Sequence, residues 1–334
     1  MTVGAPYGVR VAGVGSAIPS GVLTNEDLCN MLDTSNEWIV QRTGIHQRRI
    51  IGNPETESEF SLARDALLKA LEDAGMEGRQ LDLVIHGSTT SEMNCPPNAS
   101  RITDAVGATP AGSFDVLAAC CGLVHGMNLA DALIRIGRYT TIGVIGCDAL
   151  STITDYDDRR LSILFGDAGG AVILTRDDDP SIGCVYQTMG SDGSRWEVLY
   201  LPRRERDIPE WDRENPMKLG CLRMSGPEVF KFAVTKFRET ILDALEKTGL
   251  TVDQVSQFIC HQSNIRIIEA AKQKLGLPDD KVHINIGQYG NTSAASVGVV
   301  FDELWRWGKV KRGDYVVFVA FGGGLTWASS VWKL

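Results

Sequence analysis

The sequence predicts an α/β fold of two duplicated, layered halves, and three observations carry that expectation. Short apolar runs of strand length alternate with segments of helical apolar spacing along the whole chain, the signature of helices layered on a sheet. A strand, a glycine-rich turn and a second strand recur near the end of each half, at Gly166–Leu174 and Gly322–Val331. The 334 residues are 43% hydrophobic and have a mean hydropathy of −0.05, enough to bury a large core. The halves are expected at residues 1–180 and 181–334.

Taken in order, Arg10–Val14 is apolar and punctuated by glycine, a first strand. Thr24-Asn25-Glu26-Asp27 reads as a helix start with Asn25 as the cap. Phe60–Ala74 has helical spacing and stops at Gly75, where a left-handed residue ends helices. Leu83–Ile85 is a short buried strand leading into the polar turn Gly87–Ser91, and Thr140–Ile145 and Gly170–Leu174 are further strands. In the second half, Val229–Lys247 is a long helix ending at Gly249. Gln257–Cys260 is a strand, Ile265–Leu275 a helix and Tyr315–Ala320 a strand. Ser194–Arg223 is polar, charged and rich in Trp, Pro and Arg, and is expected to be a long surface excursion over a site.

Bulk properties exclude several classes of function. The formal charge of −9, from 33 Lys plus Arg against 42 Asp plus Glu, disfavours nucleic-acid binding but permits local basic patches. The apolar runs are too short to span a membrane. Met1–Arg10 lacks the basic and apolar regions of a secretory signal. The eight cysteines include no CxxC pair and mostly sit in apolar runs, which favours free thiols in the cytoplasm over disulfides or a zinc site.

Chemistry concentrates at three corners. In Phe114–Leu123 a strand-like run breaks at Ala118-Ala119-Cys120-Cys121-Gly122 before an amphipathic pattern from Gly122 to Ile136. A thiol at a strand-to-helix corner faces unpaired N–H groups and the positive end of the helix dipole, so a lowered pKa is expected there. His261-Gln262-Ser263-Asn264 and Gly290-Asn291-Thr292-Ser293 also follow apolar runs. Asn291 doubles as a cap candidate for a helix over Thr292–Val300. His46, His86, His125 and His283 lack partners in the pattern and are read as structural.

These corners lie in register with Trp38-Ile39-Val40-Gln41-Arg42-Thr43-Gly44-Ile45, Phe165-Gly166-Asp167, Arg223-Met224-Ser225-Gly226 and Phe321-Gly322-Gly323-Gly324. In that joint order and spacing, from Val11 to Leu334, the chain resembles the β-ketoacyl-[acyl-carrier-protein] synthase III family. The resemblance implies a thiolase fold of α-β-α-β-α halves, a homodimer, no metal and no redox cofactor. It implies an acyltransferase that condenses an acyl-CoA starter with malonyl-[acyl-carrier-protein]. Cys120 falls on the family's nucleophile, and His261 and Asn291 on the two groups that hold the enolate left by decarboxylation. The backbone N–H groups of Cys120 and Gly323 fall on the oxyanion hole. Trp38, Arg42 and Arg159 map to the coenzyme A entrance, and Lys231, Arg266 and Lys274 offer a basic patch for an acidic carrier protein. Cys121 is read as packing.

Two departures bear on the substrate. Pro227 stands where relatives commonly carry Asn beside the pantetheine. Pro96 stands where acetyl-primed relatives place an aromatic residue closing the acyl pocket, so a longer or bulkier starter is expected. Two rival readings remain open in the sequence: a starter-loading or acyl-transferring enzyme of secondary metabolism, and a non-catalytic dimer that binds acyl-CoA.

Overall fold

The computed structural model describes residues 6–215 and 218–334. Part of the Met1–Arg10 stretch, Met1–Ala5, and Pro216 and Met217 of the central excursion lie outside the described residues. Strand β1 (Gly8–Ala17) opens the chain, followed by the ribbon β2 (Gly21–Thr24) and β3 (Gln47–Ile50), which holds α1 (Asn25–Met31) and α2 (Asn36–Thr43) between its strands. Then come α3 (Glu59–Ala74), β4 (Leu83–Gly87), α4 (Asn98–Ala105), β5 (Gly112–Val116), α5 (Gly122–Arg135), β6 (Thr141–Ala149) and β7 (Asp167–Asp177). Strands β8 (Gly183–Ser191), β9 (Leu199–Tyr200) and β10 (Arg223–Met224) lead to α6 (Gly226–Thr248), β11 (Val255–Cys260), α7 (Ile265–Leu275), α8 (Ile286–Tyr289) and α9 (Ala295–Arg306). Strands β12 (Tyr315–Gly322) and β13 (Thr326–Lys333) close the chain.

Two sheets result. The first has the order β1-β7-β6-β4-β5, with β4 parallel to both β5 and β6. The second has the order β11-β12-β13-β8, with β11 parallel to β12. Helices α5 and α9 lie between them, and a single core joins Leu123, Met127 and Phe301 of those helices to Val14 and Ile85 of one sheet and Ile259 and Phe318 of the other. Helix α3 covers the outer face of the first sheet, while α6 and α7 cover that of the second. With both faces covered, a central strand needs no polar alternation, and every residue of β6 is buried. The parallel strands β5 and β11 end on loops that carry Cys120 and His261, the usual location of a site in such sheets, and Asn291 lies on the turn between α8 and α9.

Several local expectations change. Thr24, not Asn25, caps α1: its side chain accepts from Asp27 N–H in a reciprocal capping box. Asn25 is instead buried, donating to the Ile45 carbonyl and accepting from Arg48. The first α9 residue is Ala295, so Asn291 does not cap it. The strand expected at Thr140–Ile145 runs to Ala149, because the small residues after Ile145 allow close packing. The central excursion is stitched down rather than merely laid on the surface. Arg223 and Asp212, each 1% exposed, pair at 3.0 Å, and Asp212 also accepts from Tyr200 Oη. Nor is His86 without partners, since its ring nitrogens meet Glu59 at 2.7 Å and Asp115 at 3.2 Å.

Candidate active site

Cys120 lies in a one-turn 3-10 segment, Ala119–Cys121, between β5 and α5. Ala119 takes φ +46°, and across the site Ser293 takes φ +50°. Left-handed backbone costs an L residue about 1–2 kcal/mol, and among the described residues these are the non-glycine positions that bear it. The fold spends that strain where the catalytic candidates meet. Gly322, at the end of β12, is needed for the same reason: a Cβ there would lie 2.9 Å from the Cys120 backbone nitrogen. Gly322 thus makes the close approach to Cys120, and Gly323, the expected oxyanion residue, follows it against Leu199.

The helix-start position does not lower the thiol pKa as expected. Surrounding protein desolvates the sulfur and the buried Asp148 carboxylate repels a thiolate. Together they push Cys120 up to about 12 despite a hydrogen bond from Ser293. Burial outweighs the helix end here. Cys121 is fully buried within the core and its thiol is raised well above the ordinary range by burial.

His261 follows β11, its N–H held by the Val319 carbonyl at 2.8 Å. The residue is 1% exposed, and burial without a charged partner depresses its pKa to about 3, so the ring is neutral. Its Nδ1 meets Ser296 Oγ at 2.7 Å, and Phe321 packs edge-on at 5.4 Å between centroids. Asn291 forms an isolated bridge with Phe165: it accepts from Gly166 N–H through its carbonyl and donates its own N–H to the Leu164 carbonyl. Its Oδ1 accepts from the Ser293 N–H at 3.0 Å. That bond fixes the amide orientation and leaves the Nδ2 donors uncommitted.

Ser293 therefore joins all three candidates. Its hydroxyl donates to Cys120 Sγ at 3.3 Å, its N–H holds Asn291, and its carbonyl lies 2.9 Å from Ser296 Oγ, whose single proton goes to His261 Nδ1 in the tautomer that carries Nε2–H. Sequence reasoning quoted Ser293 and Ser296 within a motif but gave them no part, and it passed over Asp148 altogether. A lone carboxylate at the end of the apolar run Thr141–Cys147 was the available signal for Asp148.

At the mouth, Arg42 and Arg159 place their guanidinium carbons 5.7 and 5.4 Å from the Trp38 ring centre. Helix α2 is moored beside the His261 loop by Asn264, whose Nδ2 donates to the Arg42 carbonyl. Lys231 on α6 and Arg266 and Lys274 on α7 are exposed, and Arg266 lies over Phe230 at 5.5 Å. Lys272 of the same helix is neutralised by Glu269 and Asp279. Pro227 occupies the first turn of α6, where a missing N–H does no harm. Pro96 is exposed on the loop before α4, beside exposed Cys95, rather than buried in a pocket of its own chain.

The fold and these corners define a thiolase-fold condensing enzyme. A family model for 3-oxoacyl-[acyl-carrier-protein] synthase III matches residues 114–193, and one for its C-terminal part matches 245–334. β-Ketoacyl-[acyl-carrier-protein] synthase III of Caldanaerobacter subterraneus subsp. tengcongensis is 42% identical over 323 residues, 97% of each chain. The crystal structure of 3-oxoacyl-[acyl-carrier-protein] synthase III from Aquifex aeolicus superposes with a TM-score of 0.90 at 38% identity, covering 98% of this chain and 100% of that one. The priming β-ketosynthase of the R1128 polyketide pathway gives 0.90 at 35% identity, covering 100% and 98%. The chain belongs to the β-ketoacyl-[acyl-carrier-protein] synthase III family.

Proposed function

We propose that this enzyme transfers an acyl group from coenzyme A to Cys120 and condenses it with malonyl-[acyl-carrier-protein], releasing CoA and carbon dioxide and so initiating fatty-acid synthesis. The observation that carries the reading is the meeting of Cys120, His261 and Asn291 around Ser293. In the first half-reaction the Cys120 sulfur attacks the thioester, and the backbone N–H groups of Cys120 and Gly323 receive the oxyanion. In the second, malonyl decarboxylation leaves an enolate whose oxygen takes hydrogen bonds from His261 Nε2 and Asn291 Nδ2. The enolate carbon then attacks the Cys120 acyl group. Neutral donors suit this step, because a charged imidazolium would hold the malonyl carboxylate rather than let it leave.

Trp38 and the two arginines that flank it stack on the adenine and answer phosphate charge at the mouth. Lys231, Arg266 and Lys274 dock the acidic carrier. The active form is a homodimer. Strand β5 is one edge of the first sheet, and Phe114 on it at 37% and Leu117 just past its end at 80% exposure leave apolar surface uncovered there. Pro96 reaches an acyl pocket only across that interface. The enzyme works in the cytoplasm without a metal or redox cofactor. The likeness to the R1128 priming β-ketosynthase supports a second reading, loading of a starter unit in secondary metabolism.

Intact-protein mass after incubation with a panel of acyl-CoAs tests the first half-reaction. An acyl-sized gain that vanishes in Cys120→Ala and survives in Cys121→Ala is expected; a gain that persists in Cys120→Ala overturns the assignment. Carbon dioxide release with malonyl-carrier protein, followed by identification of a β-ketoacyl product, separates condensation from simple acyl transfer.

A further inference from the structure

In the proposed condensation two donors share one enolate oxygen, so their separation must be fixed, yet they come from different segments. His261 lies on the turn after β11, and Asn291 on the turn between α8 and α9. Leu164 and Gly166 hold the Asn291 backbone from one side. Other bonds to its segment converge on Glu303 of α9, a residue with no part in the mechanism above. Glu303 Oε2 accepts from His283 Nε2 and from Asn285 Nδ2, and Oε1 accepts from Tyr289 Oη, each at 2.8 Å. Desolvation presses the Glu303 pKa upward, but these three donors outweigh it and hold the carboxyl below its ordinary value, so it is ionised and accepts only. One carboxylate thus gathers both ends of the stretch from His283 to Tyr289. Gly290, at φ +75°, then turns the chain into Asn291, its N–H fixed by the Ile286 carbonyl at 2.9 Å. Gln262 ties the same stretch to the other donor. It directly follows His261 and is 1% exposed. Its Oε1 accepts from the Asn285 N–H at 3.1 Å, and its Nε2 donates to the Cys260 and His283 carbonyls at 3.0 and 3.3 Å.

We propose that Glu303 and Gln262 are positioning residues for malonyl decarboxylation, bracing the Asn291 segment against the His261 turn and so setting the gap between the two donors. The inference rests on the proposed enolate role of His261 and Asn291. Neither positioning residue touches the reacting atoms. Glu303 acts on Asn291 through Tyr289 and Gly290, and Gln262 acts through Asn285 and its own peptide link to His261. Cys120 belongs to another element, the turn between β5 and α5, so loosening the brace spares acyl transfer to it. What the brace needs from Glu303 is its shape and its acceptors. In Glu303→Gln the amide oxygen can face His283 and Asn285 while the NH2 faces Tyr289, whose hydroxyl accepts as well as donates. Glu303→Ala loses all three bonds.

The test follows the two half-reactions separately in the full-length enzyme, acylation of Cys120 by intact mass and carbon dioxide release from malonyl-carrier protein. A displacement of about 1 Å in a catalytic group can cost about a hundredfold. Glu303→Ala and Gln262→Ala are therefore expected to slow decarboxylation by about 10- to 100-fold while Cys120 is acylated at close to the wild-type rate. Glu303→Gln is expected to restore most of the decarboxylation rate. If Glu303→Ala fails to fold, Tyr289→Phe, which keeps the ring and deletes one of the three bonds, carries the test with a smaller loss in the same half-reaction. A merely structural role lowers both half-reactions in equal proportion or leaves both intact, and either result overturns the brace, as does a Glu303→Gln enzyme no better than Glu303→Ala. Failure of the proposed function looks different. A wild type that is acylated but releases no carbon dioxide, or an Asn291→Ala enzyme that decarboxylates at full rate, sinks the enolate reading and the brace with it. Decarboxylation that falls in Asn291→Ala and holds in Glu303→Ala and Gln262→Ala sinks the brace alone.

Discussion

His86 and His261 are buried to almost the same degree, at 0% and 1% exposure, yet they hold opposite charge states. Desolvation opposes charge at both. At His86 the Glu59 and Asp115 carboxylates outweigh it and raise the pKa to about 10, while at His261 the ring's hydrogen-bond partner is the neutral Ser296 hydroxyl and the pKa falls to about 3. The difference teaches that burial sets the stakes and the partner decides the outcome. His86 ties β4 to the start of α3 and, through Asp115, to the start of α4, which accounts for a charged, structural ring. His261 has no carboxylate partner, which suits the neutral donor that the proposed enolate step needs.

The largest effect expected is on the structural side. His86→Gln leaves two carboxylates facing each other under the sheet and is expected to cost about 3–5 kcal/mol of unfolding free energy in urea titrations. Since the folded pKa is raised, that contribution is complete below about pH 6.5 and fades as pH climbs toward 10. The gap between wild type and variant should therefore close at alkaline pH. His261 works in the opposite sense. Its depressed pKa means that the unfolded chain takes a proton below about pH 6.5 that the folded chain refuses, so it withdraws stability as pH falls toward 3. A variant gap at His86 that is independent of pH breaks the comparison.

Next come the proposed enolate donors. His261→Ala and Asn291→Ala are each expected to lose about 3 kcal/mol of transition-state stabilisation in malonyl decarboxylation, while Cys120 still becomes acylated. Equal loss of both half-reactions contradicts the division of labour. At the mouth, Trp38→Ala removes a ring stacked by two exposed guanidinium groups, and an effect of about 1 kcal/mol is expected, read as a several-fold rise in the KM for acyl-CoA with little change in kcat. The smallest step concerns starter length. Each methylene buried in an open acyl pocket adds about 0.8 kcal/mol, so specificity constants for acetyl-, butyryl-, branched and octanoyl-CoA should favour a chain longer than acetyl. An optimum at acetyl removes Pro96 as its determinant.

Much of this architecture was legible because the signals were local. Gly75, Gly249 and Gly276 end helices α3, α6 and α7 in the left-handed conformation that a glycine at that place announces. The apolar strands were visible as runs, although their ends were not, since small residues such as Gly146 and Ala149 carry no hydrophobic signal. Cys120, His261 and Asn291 stood out by position after such runs. What stayed hidden depends on contacts across the chain. The pKa of Cys120 is set by Asp148 and by desolvation, neither of which a helix-start argument contains. His86 looked partnerless because Glu59 and Asp115 are 27 and 29 residues away. Ser293 has no distinguishing sequence feature, and its role follows from a backbone conformation, one contact to distant Cys120 and two local ones to Asn291 and Ser296.

The charge contrast between the two buried histidines is the claim on which the condensation reading leans. Nitrogen-15 NMR of histidine-labelled enzyme between pH 5 and 9 reads it directly, with His86→Gln and His261→Ala assigning the signals. The prediction is a neutral His261 ring throughout and a doubly protonated His86 ring through neutral pH. A His261 that titrates near 6.5, or a His86 that is neutral at pH 7, contradicts the account.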